Sequence, residues 1–189
     1  MSFPSELSIY VGRVREFEHR DWAGYLAWVG LMGGLVLSTG GFLVFGHRHG
    51  VRFPPEVWMV PLGALIFTAS IALDSIGHRT VYRRELRGGE GLVHAITIFC
   101  GITSCVLLCG AYSLRGTLWI PALVMTVLSF VYSFIDEAFH WHRYVTLRSD
   151  RVEMWSHVGI LAGHATMMLG WWSWFFGGYA GVAETLAHL

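Results

Sequence analysis

Five apolar runs divide the chain, at about 22–45, 57–73, 92–112, 118–139 and 158–176. Each is close to the ~20 residues that a helix needs to cross a bilayer. Between the first two lies GHRHGVRFPPE, whose paired prolines end any helix and turn the chain. Short Arg-rich stretches join the second run to the third and the fourth to the fifth. The pattern predicts an all-α integral membrane protein with five transmembrane helices. Spans 2–5 are expected to form a four-helix bundle built from two repeated helical hairpins. Residues 1–21 read as an N-terminal segment, with a short amphipathic helix at the interface and Phe17 toward lipid. Residues 22–176 read as the bundle and residues 177–189 as a peripheral tail. In the first span, the Gly30–Gly34 spacing would permit a close helix contact.

Composition agrees with the membrane class, at 54% hydrophobic and 14% charged residues. The formal net charge is zero, so nothing suggests nucleic acid as a partner. All 13 basic residues are Arg, which excludes chemistry through a lysine Schiff base. Cys100, Cys105 and Cys109 fall in one apolar run and read as small buried fillers, not disulfide partners. The polar first twenty residues carry no cleavable signal pattern. With five spans, Arg13, Arg15, Arg20, Arg79, Arg83, Arg84, Arg87, Arg143, Arg148 and Arg151 share one side, leaving Arg48, Arg52 and Arg115 opposite. That asymmetry makes the N-terminal side cytoplasmic and puts the C-terminus across the membrane. Trp171, Trp172, Trp174, Phe175 and Phe176 fit an aromatic belt at the far interface.

The chemistry lies where the apolar runs meet the cytoplasmic side. Asp74 and His78 end the second run, and Glu90 and His94 open the third. Asp136 and His140 end the fourth, and Glu153 and His157 open the fifth. In a helix, residues four apart share a face one turn apart. About 0.7 such acid–His pairs are expected by chance in this composition. The chain has five, the fifth being Glu184 and His188 in the tail. Alternation of the helices puts the other four at one membrane depth, and a bundle would turn them toward a common centre.

Acids near a span cost up to roughly 2.5–3.5 kcal/mol each on insertion scales. A divalent metal can return on the order of 10 kcal/mol or more once its ligands are deprotonated. Four imidazoles and four carboxylates are too many for one ion and suit two transition-metal ions, iron or copper ahead of zinc. The pattern Asp-x3-His, a turn, then His opening the next helix resembles the C subunit of particulate methane and ammonia monooxygenases. The matching residues are Asp74, His78 and His94, then Asp136, His140 and His157. The resemblance implies membrane copper sites and oxygen chemistry at those positions. Here the turns are longer, Asp136 stands where the family usually has an amide, and Glu90 and Glu153 have no counterpart.

The expected function is therefore oxygen-activating hydroxylation or desaturation of a lipophilic substrate admitted from the bilayer. Glu90 and Glu153 would bridge the metals or orient the imidazoles. No nucleotide-binding fingerprint is present, so electrons would come from a quinol, a donor or partner subunits. A homo-oligomer or a place in a larger membrane complex fits so small a chain. Haem held by histidines of facing helices is the main alternative, with His164 as a candidate cofactor residue two turns deeper than His157. A zinc hydrolase and a non-catalytic subunit are the others. His142 and Glu137 are expected to face away from the centre, and Glu16 and His19 to be interfacial. His47 and His49 are expected in a solvated loop.

Overall fold

A computed structural model describes residues 1–81, 89–147 and 150–189. The described residues are helical throughout, in the order α1 (Phe3–Gly12), α2 (His19–Arg48), α3 (Met59–Arg79), α4 (Gly89–Gly110), α5 (Arg115–Leu147), α6 (Arg151–Phe176) and α7 (Val182–Leu186). Single 3-10 turns at Arg13–Glu16 and Pro55–Trp58 precede α2 and α3. Four segments are long and apolar enough to cross a membrane: His19–Arg48, Pro55–Arg79, Gly91–Gly110 and Arg115–Thr146. The long helices overrun the apolar runs, and at the start of α2 a polar cap accounts for the extension. The backbone N–H of Glu18 donates to Asp21 Oδ2 at 3.0 Å, so α2 starts a turn before Trp22.

Packing departs from the hairpin picture. The tightest pairs are α3 with α6 and α4 with α5, and α2 lies along α3. The predicted hairpins, α3–α4 and α5–α6, thus join helices that belong to different packed pairs. The α3–α6 contact follows from glycine. A Cβ on Gly163 would stand 2.5 Å from the Phe67 backbone nitrogen, and one on Gly63 would stand 2.6 Å from the Gly163 carbonyl oxygen. Gly159 lies against Ser70, and Gly170 faces Met59 at 2.8 Å. Positions 159, 163 and 170 lie on one face of α6, so the two backbones close along several turns. Gly30 and Gly34 do not play this part, since a Cβ on either meets nothing within 4 Å.

The core at the far end includes Leu43, Val60, Leu108, Met168, Trp171 and Phe175. Three of the expected belt aromatics, Trp171, Trp174 and Phe175, are therefore inside the protein, and Phe176 is exposed. Trp172 donates to Thr126 Oγ1 at 3.2 Å and Trp174 to the Ala180 carbonyl at 3.0 Å, which gives these indoles partners in the protein. The tail is not peripheral either. Tyr179, Val182 and Thr185 are buried, the Tyr179 hydroxyl donates to the Leu108 carbonyl, and α7 packs on α2. Among the cysteines, Cys100 is buried, Cys105 half-buried and Cys109 exposed, and all three are free thiols.

At the other end, α1 packs on α3 and α6. Tyr10 is buried with Ile76 and Val152, and Phe17 packs edge-on against Trp22 and Tyr25, not outward to lipid. Arg13 pairs with Asp150 at 2.7 Å, and Arg151 donates to both Glu6 oxygens at 2.6 and 2.8 Å. The Arg151 hydrogen bond holds the Glu6 carboxyl below its ordinary value of 4.5.

Two expectations follow. Gly163→Ala should destabilise the protein by about 1–3 kcal/mol through overpacking, whereas Gly30→Ala should stay within about 0.5 kcal/mol; thermal unfolding in nanodiscs measures both. Because the Glu6 carboxyl is lowered, its tie to Arg151 is complete above the ordinary carboxylate range and is lost as pH falls through the lowered value. Proteolysis within residues 1–16 should therefore be flat from about pH 8 to pH 5 and accelerate in stronger acid. Glu6→Gln should show the fast rate already at neutral pH.

Candidate metal centre

The α3–α6 register decides what meets at the polar end. Stepping along the interface from Gly63 past Phe67 and Ser70 brings Asp74 opposite His157, with Asp74 Oδ1 3.0 Å from His157 Nε2. The same carboxylate has its other oxygen 3.2 Å from His78 Nε2, one turn away on α3. On the second pair of helices, Asp136 of α5 meets His94 of α4, with Oδ2 3.2 Å from Nδ1. His140 Nε2 lies 3.8 Å from Asp136 Oδ1.

The pairs then close on one another. His140 and His157 lie face to face, with ring centroids 3.5 Å apart and planes tilted by 30°. The His78 ring is 5.3 Å from that of His94 and 5.9 Å from that of His140. Four imidazoles, one from each of α3, α4, α5 and α6, thus occupy one volume. His140 and His157 are 2% and 1% exposed, so water does not solvate them. Donor atoms of His78, His140 and His157 lie within 4.8 Å of one another, as do those of Asp74, His78 and His94. Both groups share His78.

Acid–imidazole contacts run mostly between helices, not within the i,i+4 pairs that flag them in the sequence. Glu153 has Oε1 3.1 Å from His140 Nδ1, and Glu137 has Oε1 3.2 Å from His157 Nδ1. Glu137, expected to face away, therefore belongs to the cluster. Arg143 does too: it is buried, with Nη2 2.7 Å from His140 Nδ1 and 3.3 Å from Glu153 Oε1. Ser133, Asp136, Glu137, His140 and Arg143 all fall at i,i+3 and i,i+4 steps along α5, so the face was readable. Pairing the acids with histidines alone hid it.

Several buried atoms here are left without a hydrogen bond among the described residues. They are Nδ1 and Nε2 of His78 and Oδ1 of Asp136. The His78 Nε2 contact to Asp74 is close enough for an ion pair but out of line for a hydrogen bond. Buried unsatisfied donors and acceptors are rare, and an ion or water is one of the usual reasons for them. The donor set, imidazole with carboxylate, suits a transition metal.

Of the other sequence candidates, the side chain of Glu90 lies outside the described residues, as do Arg83, Arg84, Arg87 and Arg148. His164 is 4% exposed and stands apart from the cluster, stacked on Phe130 at 4.5 Å and with Nε2 3.5 Å from Ser129 Oγ. His142, Glu16 and His19 are exposed, as are His47 and His49 at the opposite end. His49 stacks on His188 at 5.1 Å, so the fifth acid–His pair is remote from the other four.

A cavity of about 540 Å³ opens from the cluster into the apolar part of the bundle. Asp74, His78, His94, Asp136, Glu137 and His157 line its polar end, and Phe67, Ile98, Met167 and His164 lie further along. Compared with known proteins, the chain matches no protein-family model, no curated protein and no solved structure.

Proposed function

We propose that the chain is a membrane metalloenzyme with a dinuclear transition-metal centre, which activates oxygen to hydroxylate or desaturate a lipophilic substrate. The observation that carries this reading is the meeting of four imidazoles from four helices, with two overlapping donor groups within 4.8 Å. The nitrogens of His78, the member common to both groups, make no hydrogen bond among the described residues, which supports it. Asp74, His78, His94, Asp136, His140 and His157 would hold the ions. Iron or copper bound there would supply the redox and oxygen chemistry.

The surrounding residues have separable tasks. Glu153 orients the His140 ring and Glu137 the His157 ring, as carboxylates do behind metal-bound imidazoles. Arg143 offsets part of the acidic charge gathered in a medium of low dielectric constant. The bundle excludes bulk water from the buried cluster and leaves the adjoining cavity to an apolar ligand. Haem fits less well, because rings stacked at 3.5 Å leave no room for a porphyrin between His140 and His157.

In this reading α6 is the fifth span. At 26 residues it is long enough to cross, and its acid and imidazoles, Glu153, His157 and His164, are all buried. Five spans and the arginine asymmetry would support a position of the cluster near the cytoplasmic face. Electrons would come from quinol or a partner subunit of a larger complex.

Elemental analysis of protein purified without added metal tests the centre. Two ions of iron or copper per chain are expected. His78→Ala or His140→Ala should lower that content by about half or more, because each removes a donor from a shared set. His47→Ala should leave it unchanged. Full metal content in both of the first two variants would end the ligand assignment, and a Soret band would transfer the protein to the haem reading.

A further inference from the structure

The cavity runs away from the cluster between two helices that are packed elsewhere. α2 lies on α3 and α4 lies on α5, while the cavity is lined by both α2 and α4. Two of its lining residues, Leu31 on α2 and Val106 on α4, are 52% and 63% exposed. Both helices are long and apolar enough to cross a membrane. The rim they form therefore faces acyl chains, so the cavity has a side entrance from the lipid phase.

Its dimensions and lining choose among lipophilic ligands. From His78 to Phe67 on α3, or from His94 to Cys105 on α4, is eleven residues, or about 16 Å of helix. At a carbon–carbon bond length of about 1.5 Å, that accommodates an extended chain of roughly a dozen carbons. Beyond the cluster the walls are mostly apolar, including Trp28, Met32, Ile71, Ile98, Ile102 and Met167, with His164 as a polar member. A polar head buried there would cost several kcal/mol unless hydrogen-bonded. The polar end offers Asp74, Asp136 and Glu137 as acceptors, with His78 and His94 beside them.

We propose that the cavity between α2 and α4 binds a single-chain lipid, with its small polar head against the Asp74–His78–His94 end and its linear alkyl tail toward Met167. A two-chain phospholipid does not fit a cavity of about 540 Å³ closed at its polar end by the cluster. This geometry presents to the cluster the carbons nearest the head, not the methyl end of the tail. As a substrate site it rests on the metal reading above; as a binding site it stands on the cavity alone.

Photocrosslinking in nanodiscs tests it, using a long-chain fatty alcohol and a long-chain fatty acid, each with a diazirine near the methyl end. Adducts are expected on the inner faces of α2 and α4, around Leu35 and Ile102, and excess unlabelled single-chain lipid should displace them. The two probes decide whether the head is neutral or anionic. Gly101 lines the cavity, and a Cβ on it meets nothing within 4 Å, so Gly101→Phe fills the space without forcing helices apart. It should cut displaceable labelling about tenfold while metal content stays at the wild-type level. Gly30→Phe, on the exposed face of α2, should change neither. Labelling spread over outward residues such as Leu37 and Val127, or labelling that unlabelled lipid does not displace, would overturn the proposal. Displacement by a short-chain quinone but not by alkyl lipids would do the same. Metal without lipid labelling sinks this inference alone, and labelling without metal sinks the enzyme reading alone.

Discussion

The α3–α6 interface is the constraint on which the polar end depends. Its glycines let two backbones approach until side chains interleave in only one register, from Met59 against Gly170 to Asp74 against His157. A change of one residue in that register would turn each interfacial side chain by about 100° and carry Asp74 away from its imidazole. Backbone packing in the apolar half thus sets the chemistry several turns away. In lipid there is little hydrophobic drive to bring helices together, so close contact between small residues matters more than in water.

Set on that frame, the cluster solves a solvation problem by exchange between helices. Asp74 serves imidazoles on α3 and α6, Asp136 serves α4 and α5, and Glu153 on α6 reaches His140 on α5. Each buried acid has a neighbouring donor that water would otherwise supply, as burial of charge requires. Arg143 brings a fixed positive charge into the same buried volume. The polar atoms that this exchange leaves without a hydrogen bond among the described residues, on His78 and Asp136, belong to the cluster itself.

Much of this was legible in the sequence. Apolar run length gave the long helices, and acid–His spacing gave the four imidazoles that meet, because both are local properties of a helix. What stayed hidden is non-local. Spacing cannot say which helix an acid will address: Glu153, four residues before His157 in the chain, is found on His140. Glycine spacing favoured Gly30 and Gly34, but the helix neighbours are set by the whole bundle, and the contact formed at Gly63 and Gly163. The indoles of 171–174 looked interfacial by composition. Tyr179 and α7 folding back at the far end cover that region and bury Trp171 and Trp174.

That folded-back tail also acts as a clasp on the far end of the bundle. Tyr179 fastens the end of α6 to Leu108 of α4, and Thr185 seats beside Gly46 of α2, so three helices are cinched by a few residues that follow α6. Because α6 is packed with α3 and α4 with α5, the clasp bridges the two tight pairs at the end remote from the cluster.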